Sequence, residues 1–247
     1  MAYELFYWDG LQGRGEFIRL ALEDAEAAYI DVGRGDEKDG QGLPAIMAFL
    51  RGKHEQIPFA PPFLRDGEIV VSHVANILMY LGPKLGLSPS DEAHRLFANG
   101  LQLTITDMVM EVHDTHHPLS VGDYYEDQKD AAKIRSKAFL SERLPKFLGY
   151  FEMVLKHNPQ GDAHSVGAGH SYVDLSLFQL IEGLRYAFPR AMRDFGTSFP
   201  ALGRLHQRVQ KRPNIQRYLQ SERRIAFNET GIFRHYPELD IDVDKAS

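Results

Sequence analysis

Two short apolar runs, Phe63-Leu64-Arg65 and Ile69-Val70-Val71, flank the dipeptide Asp66-Gly67. Asp-Gly between apolar runs is the strongest short-range hairpin signal, because a type I′ turn needs positive φ at both central positions. Directly afterwards Ala75, Ile77, Leu78 and Leu81 recur at helical spacing, and Gly82 followed by Pro83 predicts the end of that helix. Pro61 and Pro62, just upstream, predict a bend where the chain enters the first strand. A hairpin entered through prolines and left through a helix leaves few folds open.

The preceding residues supply the other half of such a sheet. Glu4-Leu5-Phe6-Tyr7-Trp8 reads as a strand, Asp9 to Gly13 as a loop, and Phe17, Ile18, Leu20, Ala21 and Leu22 as an amphipathic helix. Ala28-Tyr29-Ile30-Asp31-Val32 is a second strand, and Gly33 to Gly42 a glycine-rich, charged loop. Ile46, Met47, Phe49 and Leu50 predict a second helix, with Pro44 tolerated in its first turn. The order is βαβ-α-ββα, that of a thioredoxin-like domain.

Gly82 to Ser90 is rich in Gly and Pro and reads as a linker. Beyond it the pattern is wholly helical: about Asp91 to His113, Gln128 to His157, Tyr172 to Phe188, Pro200 to Lys211, then a short Ile215 to Gln220 after a break at Arg212-Pro213-Asn214. The expected class is therefore α+β, with a thioredoxin-like domain over residues 1–84 and an all-α domain over 91–247. The tail from Ser221 carries Ile225, Phe227, Ile232, Phe233 and Tyr236 in no helical order and is expected to pack over a pocket or the first domain.

Composition narrows the chemistry. The chain has 247 residues, 43% of them hydrophobic, enough for a sizeable core. A formal net charge of −6 and the lack of a Lys/Arg run argue against nucleic acid. No stretch approaches the roughly twenty apolar residues of a membrane span, and MAYELFYWDG lacks the pattern of a signal peptide. A cytoplasmic protein is expected. The absence of cysteine excludes disulfides, thiolate metal sites and a protein thiol nucleophile. Any thiol chemistry must use a thiol that arrives with a substrate.

Pro62-Phe63-Leu64-Arg65-Asp66-Gly67, then His73-Val74 and a helix from Ala75 to Leu81, resembles the glutathione-binding half of the cytosolic glutathione transferases. Tyr7-Trp8-Asp9 ahead of Gly13-Arg14-Gly15-Glu16 resembles the tyrosine-type classes (Alpha, Mu, Pi and Sigma), and Val166 to Leu175 is similar to the family's VGxxxSxAD segment. In that segment Ser171 and Asp174 form a capping-box pattern, a folding element rather than a catalytic one.

The resemblance implies site residues one by one. Tyr7 would be catalytic: a free thiol of pKa about 8.5 is only a few per cent ionised at neutral pH, and a phenol that stays protonated can stabilise the thiolate. The other reading makes Tyr7 one core tyrosine among 11. Trp8 and Arg14 would join it, although the loop from Tyr7 to Arg14 is a residue longer than the commonest family spacing; alternatively Arg14 is a solvated helix-start side chain. Lys53, with Arg51 as a competitor, would meet the glycyl carboxylate of glutathione or else simply be exposed. Pro61 would precede a cis Pro62 and offer the cysteinyl unit its carbonyl but no N–H, a loss of about 1 kcal/mol. His73 and Val74 stand where relatives carry Gln/Glu-Ser. The Val74 N–H at a helix start can still face the γ-glutamyl carboxylate, with His73 replacing the Gln or exposed to water. Asp107 would cross a homodimer interface to the partner's γ-glutamyl amine, or be a solvated helix residue.

The resemblance implies that Gly10, Leu11, Met108, Val112, His113 and His117 wall the pocket for an electrophile; alternatively the histidines are ordinary polar helix-end residues. His113, Asp114, His116 and His117 also suggest a metal cluster, but Pro118 predicts that the helix is ending before His117 can share a face with His113, so no metal is expected. The expected function is a glutathione transferase with glutathione as co-substrate and an apolar electrophilic small molecule as partner. A non-catalytic glutathione-binding module, favoured by Pro61 and Val74, and an isomerase or peroxidase on the same site remain open alternatives.

Overall fold

The computed structural model describes residues 2–241. Strands β1 (Tyr3–Phe6), β2 (Tyr29–Asp31), β3 (Phe63–Asp66) and β4 (Ile69–Ser72) form one sheet in the order β2-β1-β3-β4. β1 runs parallel to β2 and antiparallel to β3, and β3 and β4 form the hairpin. Helices α1 (Gly15–Asp24), α2 (Gly42–Arg51) and α3 (Val74–Leu85) complete βαβ-α-ββα. Successive strand residues point to opposite faces. Leu5 and Leu64 accordingly join α1 and α3 in the main core, whereas Phe6 and Phe63 stack at 4.4 Å on the other face and pack with Ile46 and Phe49 of α2.

Two local expectations shift by a few residues. Asp66 pairs with Ile69, so the hairpin loop is Gly67-Glu68 rather than Asp66-Gly67. Only Gly67 has positive φ there, +61°, the requirement of a turn with glycine at its first central position. Helix α3 does not stop at Gly82. It continues through Pro83 to Leu85 and is capped by Gly86 at φ +67°, with the Gly82 carbonyl taking the Leu87 N–H at 2.8 Å. A proline in the last turn forfeits one helical bond, and the left-handed glycine supplies the stop.

The second half contains α4 (Glu92–Asp114), α5 (Lys129–Ala138), α6 (Leu144–His157), α7 (Tyr172–Ala187), α8 (Phe195–Ser198), α9 (Pro200–Gln210) and α10 (Pro213–Leu219). The expected single run from Gln128 to His157 is α5 and α6 joined by a wide turn over Phe139–Arg143. Pro145 lies just beyond that turn and has no N–H for a regular helical bond. Pro213 begins α10 rather than preceding it, because a first-turn proline loses no helical bond.

α7 is the hub of the helical half. It packs against α1, α4 and α9 and shares one core with the sheet domain. Asp174 locks its start, accepting the N–H groups of Ser171 at 2.9 Å and Ser165 at 2.8 Å and the Ser165 hydroxyl at 2.7 Å. The tail after α10 crosses both halves. The Asn228 side-chain amide donates to the Gly10 carbonyl at 2.8 Å, Ile232 and Phe233 enter the main core, and Tyr236 stacks on Tyr125 at 3.9 Å. Residues 242–247 of the tail lie outside the described residues.

Candidate active site

The sheet domain meets α4 along a cleft of about 590 Å³. Arg14, Pro61, Pro62, His73 and Val74 line its first-domain side, joined by Phe59 and Asn76; Asn99, Leu103, Thr106 and Met110 line the α4 side. The Pro61–Pro62 bond is cis. His73 holds φ +66° and ψ 132°, a conformation that non-glycine residues rarely adopt. Such strain persists where the surrounding structure enforces it, as at functional sites. His73 and Val74, at the start of α3, both line the cleft.

Tyr7 lies at the end of β1 and is 5% exposed. Its hydroxyl accepts the Arg14 N–H at 2.8 Å, and its ring lies against two glycines. A Cβ at Gly13 would come within 2.1 Å of the hydroxyl oxygen, and one at Gly15 within 2.5 Å of the ring. Burial raises the phenol above its ordinary range, opposed by the Arg14 N–H and by the charges of Arg14 and Arg19. Tyr7 therefore stays protonated at neutral pH. The Arg14 N–H occupies one lone pair of the hydroxyl, and Tyr7 itself is not among the residues that line the cleft.

Beneath Tyr7 lies a buried polar network. The Arg19 guanidinium sits 5.7 Å from the Tyr7 ring centroid. It bonds Asp31 at 2.7 Å, Glu16 at 3.3 Å and the Leu11 carbonyl at 3.0 Å. Burial opposes its charge, but Glu16 and Asp31 more than offset this. Glu16 in turn accepts the Tyr218 hydroxyl at 2.6 Å and pairs with Arg224, which bonds Gln179 at 2.9 Å; Gln179 donates to Gln12 at 2.7 Å. Gln12 also donates to the Ile225 carbonyl of the tail. The loop after β1 is thus held by α1, α7 and the tail together. In sequence Glu16 and Arg19 look like the polar face of an amphipathic helix. No local signal reveals that all ten residues of α1 are buried.

Several residues expected at the site lie elsewhere. Met108 and Val112 are 0% and 1% exposed and belong to the main core. The wall of the cleft is made instead by Leu103, Thr106 and Met110, which lie on another face of α4. Trp8 packs against the Phe6–Phe49–Phe63 cluster and does not line the cleft. Lys53 and Arg51 are exposed beyond or at the end of α2, outside the cleft lining. Gly10 and Leu11 lie in the loop clasped by Asn228 and Arg19. Asp107 is exposed on α4 between Leu103 and Met110 in sequence. His113 and His117 do meet, together with His116, because backbone bonding continues beyond α4 and His117 N–H reaches the His113 carbonyl at 3.1 Å. The expectation that Pro118 would separate them does not hold.

A thioredoxin-like sheet with a proline turn and a helix start lining one cleft, closed by an all-α half, defines the class of thioredoxin-fold proteins with a helical second half. The family model for "Glutathione S-transferase, C-terminal domain" matches residues 113–222. "Glutathione S-transferase P 2" of Bufo bufo is 30% identical over 223 residues, covering 90% of this chain and 94% of that protein. "Glutathione S-transferase" of Plasmodium falciparum is 28% identical over 222 residues, covering 87% and 93%. The solved Pi-class glutathione S-transferase of Onchocerca volvulus superposes with a TM-score of 0.68 at 23% identity, covering 89% of this chain and 93% of that one. The chain belongs to the glutathione S-transferase family, and is thereby an enzyme that takes glutathione as co-substrate.

Proposed function

We propose that this chain adds the glutathione thiolate to an apolar electrophilic small molecule, in a detoxifying role, with the Tyr7 hydroxyl donating a hydrogen bond to the sulfur. The observation that carries the reading is the Tyr7 hydroxyl, buried and tethered by the Arg14 N–H, with burial raising its pKa. In this reading the γ-glutamyl carboxylate takes the N–H groups at the start of α3, beside His73 and Val74. The Pro61 carbonyl accepts from the cysteinyl unit, and Arg14 supplies positive charge. The apolar α4 wall, Leu103 and Met110, supports an apolar partner.

The protein is proposed to act as a homodimer in the cytoplasm. Phe59 is 95% exposed at the cleft mouth. An apolar side chain bared to this extent favours a second copy, to which Asp107 would reach. Among the described residues no helix is long and apolar enough to cross a membrane.

The test is an ultraviolet difference titration with glutathione at neutral pH. A saturable thiolate band in the wild type, lost in Tyr7→Phe with calorimetric binding retained, supports the reading. Turnover should fall on the order of 10²-fold, the usual effect of deleting one preorganised donor. Unchanged turnover removes Tyr7 from the mechanism, and binding without a band in the wild type points to a non-catalytic glutathione-binding module.

A further inference from the structure

The end of α4 carries three imidazoles that the proposed reaction does not use. The His116 and His117 N–H groups both bond the His113 carbonyl, at 3.2 and 3.1 Å, so the chain stays wound beyond the helix. The three rings converge, with centroids 4.8 to 5.2 Å apart. One ring nitrogen from each lies within 4.8 Å of the others.

The hydrogen bonds define which nitrogens are free. His116 Nε2 lies 2.8 Å from the Ile232 carbonyl, which can only accept, so Nε2 carries the proton and Nδ1 presents a lone pair. His117 Nδ1–H donates to that lone pair at 2.5 Å, so an ion would take the place of the proton between the two nitrogens. His113 Nδ1 is buried and has no hydrogen-bond partner among the described residues. A backbone carbonyl that fixes the tautomer of one imidazole is the outer-shell arrangement of metal-ligating histidines.

We propose that His113, His116 and His117 bind one divalent transition-metal ion of the zinc type, with three imidazole nitrogens as ligands and a fourth position left to solvent or a small ligand. Zinc–nitrogen bonds of about 2.0–2.1 Å in a tetrahedral set place the nitrogens roughly 3.3 Å apart. That separation lies between the 2.5 Å of the tightest pair and the 4.8 Å limit of the group, so small ring rotations suffice. An all-imidazole set suits zinc, nickel or copper and not magnesium or calcium, which require oxygen ligands. Arg14 and Arg234 add positive charge near the rings, while Asp114, with Oδ1 3.9 Å from His113 Nδ1, and Glu126 offset it. The second histidine group, His164, His170 and Asp174, differs: Asp174 is already engaged by two N–H groups and a hydroxyl, as a helix cap.

Cobalt(II) titrated into tag-free protein tests the site directly. The expected result is a visible band of four-coordinate intensity that saturates at one ion per chain and is bleached by one equivalent of zinc but not by magnesium. His113→Asn and His117→Asn should each weaken zinc binding by more than the roughly 10–100-fold that loss of an outer-shell partner causes. The exposed His157→Gln should leave it unchanged, with near-ultraviolet dichroism reporting the fold of each variant. Anomalous diffraction from a zinc-soaked wild-type crystal locates the ion without any substitution. No band, an ion bound elsewhere, or full affinity in both folded variants overturns the proposal and leaves three histidines that pack the tail against α4.

Discussion

At the scale of single residues, the position of Tyr7 depends on glycines and on one buried arginine. Gly13 holds φ +42° and leaves no room for a Cβ beside the Tyr7 hydroxyl. Gly13→Ala should therefore displace that hydroxyl, abolish the thiolate band and cost about 1–3 kcal/mol, as overpacking usually does. Glutathione titration and thermal melting of one preparation check both halves of this expectation. Arg19→Met should be worse for stability. It leaves Glu16 and Asp31 without their cation, and breaking such a pair in the interior costs about 3–5 kcal/mol. Arg19→Lys should recover only part of the loss in urea unfolding, since a single ammonium cannot match the fork that holds Asp31 and Leu11 together.

At the scale of elements, the start of α7 and the end of α1 meet through His170. Its ring lies 3.4 Å from Asp174 and 3.5 Å from Asp24, and Arg212 of the α9–α10 junction bonds the same Asp24 at 2.6 and 2.8 Å. Burial works against a charged His170, but the two carboxylates outweigh it and its pKa is raised. A raised folded pKa means that His170 contributes stability fully below its unfolded value of about 6.5 and loses it as pH rises through the higher folded value. The melting temperature should thus decline as pH rises above about 6.5, and His170→Gln should flatten that decline while lowering stability at pH 6. An identical slope in wild type and variant would contradict the assignment. The capping pattern of Ser171 and Asp174 is legible in the sequence. The partnership of His170 with Asp24 is not, because α1 and α7 come together only when the two halves pack.

At the scale of the whole molecule, the sheet half and the helical half share one continuous core, and the tail binds back across both. The proposed dimer adds a surface to this body. Phe59→Glu places a charge where the reading needs an apolar anchor. It should convert dimer to monomer in sedimentation equilibrium with the far-ultraviolet dichroism unchanged. A wild type that sediments as a monomer, or a variant that remains dimeric, removes Phe59 from any interface.

Local chemistry alone determined the elements of this protein. Period-two and period-3.6 patterns, a hairpin glycine, prolines and a helix cap act between near neighbours, so the βαβ-α-ββα order and the helical second half are readable before folding is considered. The shared cleft of Arg14, Pro61, Pro62, His73 and Val74 follows from motifs at a strand entry and two helix starts. Tertiary structure decided which side chains those elements turn toward one another. It sent Met108 and Val112 into the core and Leu103 and Met110 to the cleft, choices that depend on what packs against α4 from each side. It also joined Glu16 to Tyr218, 202 residues away, and brought Ile232 to His116. Burial and partnership are properties of contacts distant in sequence, and no local pattern encodes them.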